Sequence, residues 1–228
     1  MTGSANRRPS ETDRPVVVVD YGMGNLASVM NAFARLGQPA CLSGETEVIA
    51  GAARLVIPGV GAFGDAVAEI DRRGLRQPLL DAARRGVPIL GLCLGMQLLL
   101  EESDESPGAR GLGLLPGRVR RLSPGMRIPH VGWNRLEGVR DVALLEGVRE
   151  GDYLYFVHSY HCEIEDSLAA AWVEYGLRTV AVAGRERIWG VQAHPEKSQV
   201  TGDRILRNFA GLAAAARGGV AGEGVCLK

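Results

Sequence analysis

The 228 residues include 26 basic and 26 acidic side chains, so the formal net charge at neutral pH is zero. This balance argues against nucleic acid or an anionic membrane surface as a partner. No apolar run is long enough to cross a bilayer, so no membrane association is expected. The length fits one α/β domain with a large core, which we place at residues 15–217, between flexible tails at residues 1–14 and 218–228.

The cysteine pattern bears on cofactors and on the cellular compartment. The four cysteines, at positions 41, 93, 162 and 226, have neither C-x-x-C spacing nor the spacing of a metal site. We therefore expect no metal and no other cofactor. Residues 1–14 lack the apolar segment of a signal peptide. Together these features favour a cytoplasmic protein in a reducing environment.

The first predicted unit is a buried strand at residues 16–20, followed by a helix that Asn25 caps and Gly37 ends. Between them, residues 22–27 read G-M-G-N-L-A, which matches the dinucleotide fingerprint G-x-G-x-x-A. Such short patterns also arise by chance, and Asp20 and Tyr21 stand between the valine run and the first glycine. A plain strand–helix turn, a partner or substrate loop and a dinucleotide site remain open for this segment.

A second buried strand, at residues 54–57, ends in the sequence P-G-V-G at residues 58–61. Two glycines around one residue allow backbone N–H groups to face a ligand, although a plain tight turn explains the same sequence. Helices are predicted at residues 63–73 and 75–85. Strands that alternate with helices predict a doubly wound, mostly parallel sheet with its binding crevice at the carboxyl ends of the strands.

Cys93 lies at the end of an apolar run that predicts a buried strand, and a helix-like run follows at once. Gly91 and Gly95 flank the cysteine, and G-x-C-x-G is the cysteine counterpart of the nucleophile elbow. Such a turn strains the nucleophile's backbone and crowds its neighbours two residues away unless they lack a Cβ atom. A helix N-terminus aimed at the sulfur favours the thiolate. A buried structural cysteine is the alternative interpretation.

The second half of the chain has a different pattern. Residues 108–117 predict a loop, residues 119–122 an edge strand, and residues 129–134 an irregular stretch that carries Trp133. Short strands are predicted at residues 153–157, 170–175, 180–183 and 188–192. An amphipathic helix over residues 201–215 closes the domain. The predicted fold is α/β, with a doubly wound, mostly parallel sheet, antiparallel additions in the C-terminal half, and flanking helices.

A catalytic cysteine needs a base and a group that orients the base. Among the four histidines, His194 is the one that follows a predicted strand and has a suitably placed acidic residue, Glu196. In an extended segment residues two apart point the same way, and Pro195 stiffens that geometry. The pair faces Cys93 only if the ends of two strands meet. A purely structural H-P-E turn is the alternative.

Three motifs together resemble the class I, or triad-type, glutamine amidotransferases: G-L-C-L-G at residues 91–95, P-G-V-G at 58–61 and H-P-E at 194–196. Within that family the chain is similar to the glutaminase subunits of imidazole glycerol phosphate synthases. The motifs behind this closer similarity are D-Y-G-M-G-N at 20–25, P-H-V-G-W-N at 129–134, Y-F-V-H-S-Y at 155–160 and H-P-E-K-S-Q at 194–199. The similarity spans residues 16–212. One departure is Ala193, where the family usually has an aromatic residue, which puts the local packing in question.

The resemblance implies a mechanism and a set of site residues. Cys93 attacks the side-chain amide of L-glutamine, His194 carries the proton from the thiol to the departing ammonia, and Glu196 orients the imidazole. Backbone N–H groups of the Gly61 segment and of Leu94 form the oxyanion hole. Gln97, Glu105 and Ser159 match positions that hold the amino-acid end of the substrate.

The resemblance also implies a partner. The ammonia passes to a (β/α)₈ cyclase/synthase subunit in a heterodimer that forms imidazole glycerol phosphate and aminoimidazole carboxamide ribotide in histidine biosynthesis. Trp133, Tyr155 and Lys197 match partner-facing positions near the ammonia channel. A packed Trp and a solvated Lys are the alternative interpretations.

Three classes of function remain open on the sequence. The first is the partner-dependent subunit, with service to another synthase as a variant. The second is a stand-alone cysteine hydrolase of the α/β-hydrolase kind, although in that fold the acid normally precedes the histidine, whereas Glu196 follows His194. The third is a dinucleotide-binding protein built on the Gly22 loop.

The P-G-V-G segment at residues 58–61 also predicts regulation. A peptide flanked by glycines rotates at little steric cost, and one orientation directs a carbonyl into the oxyanion site. Losing one oxyanion donor typically costs about two to three orders of magnitude in rate. We therefore expect the isolated chain to hydrolyse glutamine slowly and a ligand-loaded partner to activate it, with the loops at residues 22–25 and around Trp133 on the partner side.

Overall fold

The computed structural model describes residues 14–123, 125 and 127–213. The tails predicted at residues 1–14 and 218–228 lie outside these ranges, apart from Arg14, whose guanidinium donates a hydrogen bond to the carbonyl oxygen of Gly51. Within the described ranges, no helix combines the length and apolar character needed to cross a membrane.

The described residues form twelve strands and six α-helices. The strands are β1 (Val16–Val19), β2 (Ala40–Ser43), β3 (Leu55–Ile57), β4 (Ile89–Leu92), β5 (Glu102–Ser103), β6 (Arg118–Arg121), β7 (His130–Arg135), β8 (Tyr153–His158), β9 (Tyr160–Glu163), β10 (Ala169–Glu174), β11 (Arg178–Arg185) and β12 (Ile188–Val191). The helices are α1 (Leu26–Arg35), α2 (Thr46–Ala50), α3 (Phe63–Arg72), α4 (Arg76–Arg84), α5 (Leu94–Leu98) and α6 (Gln199–Gly211). Short 3₁₀ turns lie at Ala143–Leu145, Asp166–Leu168 and Pro195–Lys197.

A central sheet of seven strands has the order β10-β11-β12-β4-β3-β1-β2. From β12 to β2 all neighbouring strands are parallel, and β11 and β10 extend the sheet with antiparallel pairing. The predicted fold class is therefore confirmed. Two smaller sheets, β5-β6-β9 and β7-β8, account for the remaining strands of the described chain.

The two faces of the central sheet bury separate apolar clusters. Alternate valines of β1 belong to each: Val17 and Val19 to one cluster, Val16 and Val18 to the other. Helices α3, α4 and α5 cover the first face, and α1 and α6 cover the second. Strands that are buried on both faces read as continuous apolar runs, which explains why the sequence predicts them well.

Two predictions for the C-terminal half are wrong. Strand β6 is not an edge strand, because it lies between β5 and β9 in the three-stranded sheet. Residues 129–134 are not irregular, because β7 pairs in antiparallel register with β8, with Trp133 opposite Tyr155. The apolar pattern of β7 is inverted: His130 is buried, whereas Val131 and Trp133 are 55% and 46% exposed. A strand with its polar residue inward does not show the usual alternation.

Two elements near the other edge of the sheet have no sequence prediction. Strand β2 is short and half exposed, so it lacks both a buried apolar run and a clear alternation. Helix α2 has only five residues, and Ile49 is its buried anchor. The C-terminal helix runs over Gln199–Gly211 and buries Ile205, Leu206 and Phe209, as its amphipathic pattern predicts.

Candidate active site

Cys93 occupies a strained turn between β4 and α5, with φ of +54° and ψ of −109°. A Cβ atom added at Gly91 would lie 2.4 Å from the carbonyl oxygen of Gly95. One added at Gly95 would lie 1.7 Å from the carbonyl oxygen of Ile57. Both contacts are with backbone, so neither position accommodates a side chain without rebuilding the turn. The G-x-C-x-G pattern is therefore explained by the geometry of an elbow.

The two oxyanion candidates, Leu94 and Gly61, line one cavity together with Cys93. The N–H groups of Met96 and Gln97 donate to the carbonyl oxygen of Cys93, at 3.0 and 3.3 Å. The N–H groups that precede them in the helix, including that of Leu94, have no intrahelical acceptor and are available to a ligand. Gly61, with φ of +106°, lines the same cavity as Leu94.

Strands β4 and β12 are parallel neighbours, and this pairing brings the base to the nucleophile. Leu92 is paired with Val191, and the N–H of Cys93 donates to the carbonyl oxygen of Val191 at 2.8 Å. The two strand ends therefore meet, which was the condition for His194 to face Cys93. The preceding residue, Ala193, is fully buried in the apolar cluster of the second face.

His194 and Glu196 form a buried pair. The Nδ1 atom of His194 lies 2.8 Å from Oε1 of Glu196, and the two side chains are 4% and 2% exposed. The segment is not extended as predicted, because Pro195 begins a 3₁₀ turn that brings the carboxylate to the imidazole. The predicted pairing is present, but a turn produces it.

The charge on His194 is favoured by its neighbours. Burial opposes the imidazolium, but Cys93 and the carboxylate of Glu196 outweigh it and raise the pKa of His194 to about 9. Because Nδ1 faces the carboxylate, Nε2 is the atom left for proton transfer. It is buried and makes no hydrogen bond to the described residues.

Ser198 connects the loop of the base to strand β8. Its hydroxyl donates to the carbonyl oxygen of His194 at 2.7 Å and accepts from the N–H of Tyr155 at 2.9 Å. The N–H of His194 also donates to the carbonyl oxygen of Tyr155, at 2.9 Å. The backbone of His194 is thus fixed to the strand that pairs with the Trp133 strand.

A cavity of about 390 Å³ opens beside Cys93. It brings together every predicted nucleophile, oxyanion and substrate position: Gly61, Cys93, Leu94, Gln97, Glu105 and Ser159. The rest of its wall consists of Val60, Pro129, Val157, His158 and Tyr160. Its volume falls within the range of small-molecule pockets. The predicted residues come from separate parts of the chain, so their meeting is a property of the fold.

Two of the cavity residues, Gln97 and Glu105, are held by hydrogen bonds. The Nε2 atom of Gln97 donates to the carbonyl oxygen of Tyr160 at 3.1 Å and to Oε1 of Gln192 at 3.3 Å. Both amide hydrogens are therefore used, and the carbonyl oxygen of Gln97 remains as an acceptor. Oε2 of Glu105 accepts from the N–H of Phe63 at 2.8 Å, at the start of α3.

The residues predicted to face a partner lie at the surface beside the base. Trp133 and Tyr155 form an edge-to-face pair with ring centroids 5.9 Å apart. Lys197 is exposed, directly after Glu196, and forms no salt bridge within the described chain. The backbone of Tyr155 is hydrogen-bonded to His194, which places the Trp133–Tyr155 pair on the strand pair next to the base.

The glycine loop after β1 has the contacts of a strand–helix turn. The N–H of Gly22 donates to Oδ1 of Asp20 at 2.8 Å, and Asn25 caps α1 by accepting from the N–H of Ser28. The Arg73 guanidinium packs over Gly22, so the first glycine of the fingerprint does not face open space. Asn25 also lines a small cavity with His194 and Glu196, which places this loop at the candidate site.

Sequence reasoning missed three polar residues around the cavity: His130, His158 and Gln192. Nε2 of His158 lies 3.1 Å from Nδ1 of His130, and its Nδ1 lies 2.8 Å from the carbonyl oxygen of Tyr160. Burial lowers the pKa of His158 to about 3, so this imidazole is neutral. Their position in the sequence is the one available signal, because His158 and Gln192 stand at the ends of strands that lead to the site. Both side chains are buried.

Comparison with known proteins identifies the family. The family model for class-I glutamine amidotransferases matches residues 17–212. The chain belongs to the class I glutamine amidotransferases. It is therefore an enzyme of that kind, and the resemblance drawn from its motifs is confirmed.

Relatives of this amidotransferase carry a more specific name. Chains named "Imidazole glycerol phosphate synthase subunit HisH" are 47% identical in Methanothermobacter thermautotrophicus and 49% identical in Symbiobacterium thermophilum. Each alignment covers 85% of this chain and, respectively, 96% and 92% of the relative.

Solved structures share the fold of the amidotransferase. "Crystal structure of glutamine amidotransferase" has a TM-score of 0.70 at 21% identity and covers 86% of this chain and 99% of that chain. "Structure of PurLQS from Thermotoga maritima" has a TM-score of 0.67 at 20% identity, covering 86% and 97%. At these identities the likeness concerns the fold alone.

Proposed function

We propose that this amidotransferase is the glutaminase subunit of an imidazole glycerol phosphate synthase in the cytoplasm. The observation that carries the proposal is the cavity beside Cys93, which joins the six positions expected for a glutaminase and has His194 and Glu196 at the neighbouring strand end. The relatives named as HisH subunits, at 47% and 49% identity over most of both chains, indicate which synthase we propose.

In the first step, the thiolate of Cys93 attacks the side-chain carbonyl carbon of glutamine and forms a tetrahedral intermediate. N–H groups of Leu94 and of the Gly61 segment stabilise its oxyanion. Because the pKa of His194 is raised, its imidazolium is present at neutral pH. The Nε2–H of this imidazolium can protonate the leaving nitrogen of the substrate. The C–N bond breaks, ammonia leaves, and a thioester remains on Cys93.

In the second step, the neutral imidazole of His194 takes a proton from water, and the resulting hydroxide attacks the thioester. The C–S bond breaks and glutamate leaves with the thiolate restored. Glu196 holds Nδ1 throughout, which orients the ring and leaves Nε2 to exchange the protons.

Glutamine is held by the polar wall of the cavity. The free carbonyl oxygen of Gln97 and the carboxylate of Glu105 are acceptors that suit the α-ammonium group. Ser159 lines the same cavity and offers a hydroxyl to the α-carboxylate. Ammonia passes to a (β/α)₈ synthase subunit docked on the surface that carries Trp133, Tyr155 and Lys197. The exposed apolar area of Trp133 and Val131 supports such a contact.

The test is glutamate release by the purified chain, by the chain with a (β/α)₈ synthase subunit, and by that pair with the synthase's nucleotide substrate. We expect slow hydrolysis by the chain alone and a rise of about two to three orders of magnitude in the loaded complex. A free chain that already runs at the rate of the complex would refute partner dependence. Activation by a different synthase alone would reassign the pathway.

A further inference from the structure

We infer that Gln192 is a positioning residue that orients both the nucleophile and the glutamine-binding side chain, an inference that rests on the proposed function. Gln192 follows β12 and is 1% exposed. Its Nε2 atom donates to Sγ of Cys93 at 3.9 Å, and its Oε1 atom accepts from Nε2 of Gln97 at 3.3 Å. One amide group therefore contacts the reacting sulfur and a residue of the substrate pocket.

The orientation of the Gln192 amide is set by two donors. Besides Gln97, the thiol of Cys162 donates to Oε1 of Gln192, at 3.9 Å. Cys162 is buried, and burial raises the pKa of its thiol, so it remains a donor at neutral pH. With both donors directed at the oxygen, the NH₂ group must face Cys93.

This orientation affects the charge on Cys93. A contact of 3.9 Å between an amide N–H and a neutral thiol is weak. When the thiol ionises, the same N–H faces a full negative charge, and charge-assisted hydrogen bonds are about twice as strong as neutral ones. Gln192 therefore favours the thiolate from the side of the β12 strand, independently of the proton on His194.

The orientation also affects Gln97. Its NH₂ group is held between the carbonyl oxygens of Tyr160 and Gln192, which leaves its own carbonyl oxygen for the substrate. Without the acceptor on Gln192, the Gln97 amide loses one of the two contacts that fix its direction. A residue that touches no substrate atom then changes both nucleophile reactivity and substrate affinity.

The test compares Gln192→Met, which keeps the length but removes donor and acceptor, with Gln77→Met on the exposed face of α4. The rate of Cys93 alkylation by iodoacetamide is followed against pH by peptide mass spectrometry, which needs neither partner nor glutamine. We expect the pH at which the alkylation rate is half-maximal to rise by about one unit in Gln192→Met. The same midpoint should stay unchanged in Gln77→Met. In the loaded complex, the KM for glutamine should rise about tenfold.

An unshifted midpoint together with an unchanged KM would overturn the role, whatever the loss of thermal stability. If Gln192→Met fails to fold, Gln192→Glu decides, because it keeps the shape and the acceptor but replaces the donor by oxygen. Its midpoint should rise further, and an unshifted value would contradict the inference. Failure of the proposed function would give a different result. The wild-type complex would release no glutamate, while the alkylation profiles of the wild type and of Gln192→Met would still differ.

Discussion

The two sides of Cys93 are built in different ways. On one side, His194 and Glu196 lie two residues apart, are almost fully buried, and follow a strand that is paired directly with the strand of the nucleophile. On the other side, the glutamine cavity collects Gly61, Gln97, Glu105 and Ser159 from four separate segments.

In this arrangement the base side carries the chemistry and the cavity side recognises the substrate. The base side follows one parallel strand pair of the central sheet, and Ser198 ties its loop to β8. The cavity side depends on how loops and smaller sheets pack against that sheet. Changes on the base side should therefore act on kcat, and changes on the cavity side chiefly on KM.

The largest effect is expected from removal of the nucleophile itself, on which both sides depend. Cys93→Ala should abolish glutamine-dependent synthesis by the complex and spare synthesis driven by an added ammonium salt. Cys93→Ser should be nearly as poor with glutamine, because a serine hydroxyl ionises far less readily than a thiol. Product formation with each nitrogen source is the measurement, and loss of both activities would make Cys93 structural.

The next largest effect tests the base side. His194→Asn should lower the kcat for glutamine hydrolysis by about two to four orders of magnitude, because the base and the leaving-group acid are lost together. His161→Asn is the matched control, since His161 lies on β9 outside the pair and should change turnover little. Steady-state glutaminase assays on both variants in the complex decide, and equal losses would remove the triad assignment.

A smaller effect on the cavity side should appear in KM. Glu105→Gln keeps an acceptor for the N–H of Phe63 but removes the charge opposite the substrate ammonium. A hydrogen bond to a charged group contributes about 1.5–3 kcal/mol, so KM should rise about tenfold or more, with kcat nearly unchanged. Substrate-saturation curves give both parameters, and a fall in kcat at constant KM would place Glu105 on the base side instead.

The smallest effect is a difference in how the two sides respond to pH. The pKa of His194 is raised in the fold, so its contribution to stability is complete below pH 6.5 and is lost as the pH rises toward 9. The pKa of His158 is lowered to about 3 by burial, so its contribution is present above pH 6.5 and is lost as the pH falls.

The free energy of unfolding, measured in urea between pH 4 and pH 9, tests both directions of change. His158→Gln should flatten the acid limb of the stability profile and leave the alkaline limb unchanged. His194→Gln should do the reverse. Identical profiles for the two variants would show that the imidazoles on the two sides of Cys93 do not differ in environment.

Sequence patterns predict the parts of the molecule in which burial and periodicity agree. The four valines of β1 and the run before Cys93 are buried on both faces, so their apolar composition predicts them. Strand β7 does not follow this rule, because its buried residue is His130 and its exposed residues include Val131 and Trp133. A single sequence does not reveal such an inverted pattern as a strand, because the usual alternation is missing.

The site divides in the same way. Cys93, His194 and Glu196 carry local motifs that point to their chemistry, whereas Gln97, Glu105 and Ser159 were placed through family resemblance. Gln192 was missed because one buried amide at a strand end has no periodic signature. Its contacts with Gln97 and Cys93 depend on residues 95 and 99 positions away, which only the folded chain brings together.

The Ser198 hydroxyl, which joins His194 to Tyr155, makes the exposed hairpin of β7 and β8 a mechanical extension of the catalytic loop. Its two hydrogen bonds and the direct bond from His194 to Tyr155 cross-link two backbones. Strand β8 also carries Val157 and His158, which line the substrate cavity, so one strand borders both the base and the cavity. A displacement of the hairpin would therefore reach the backbone of His194 and the wall of the glutamine cavity together.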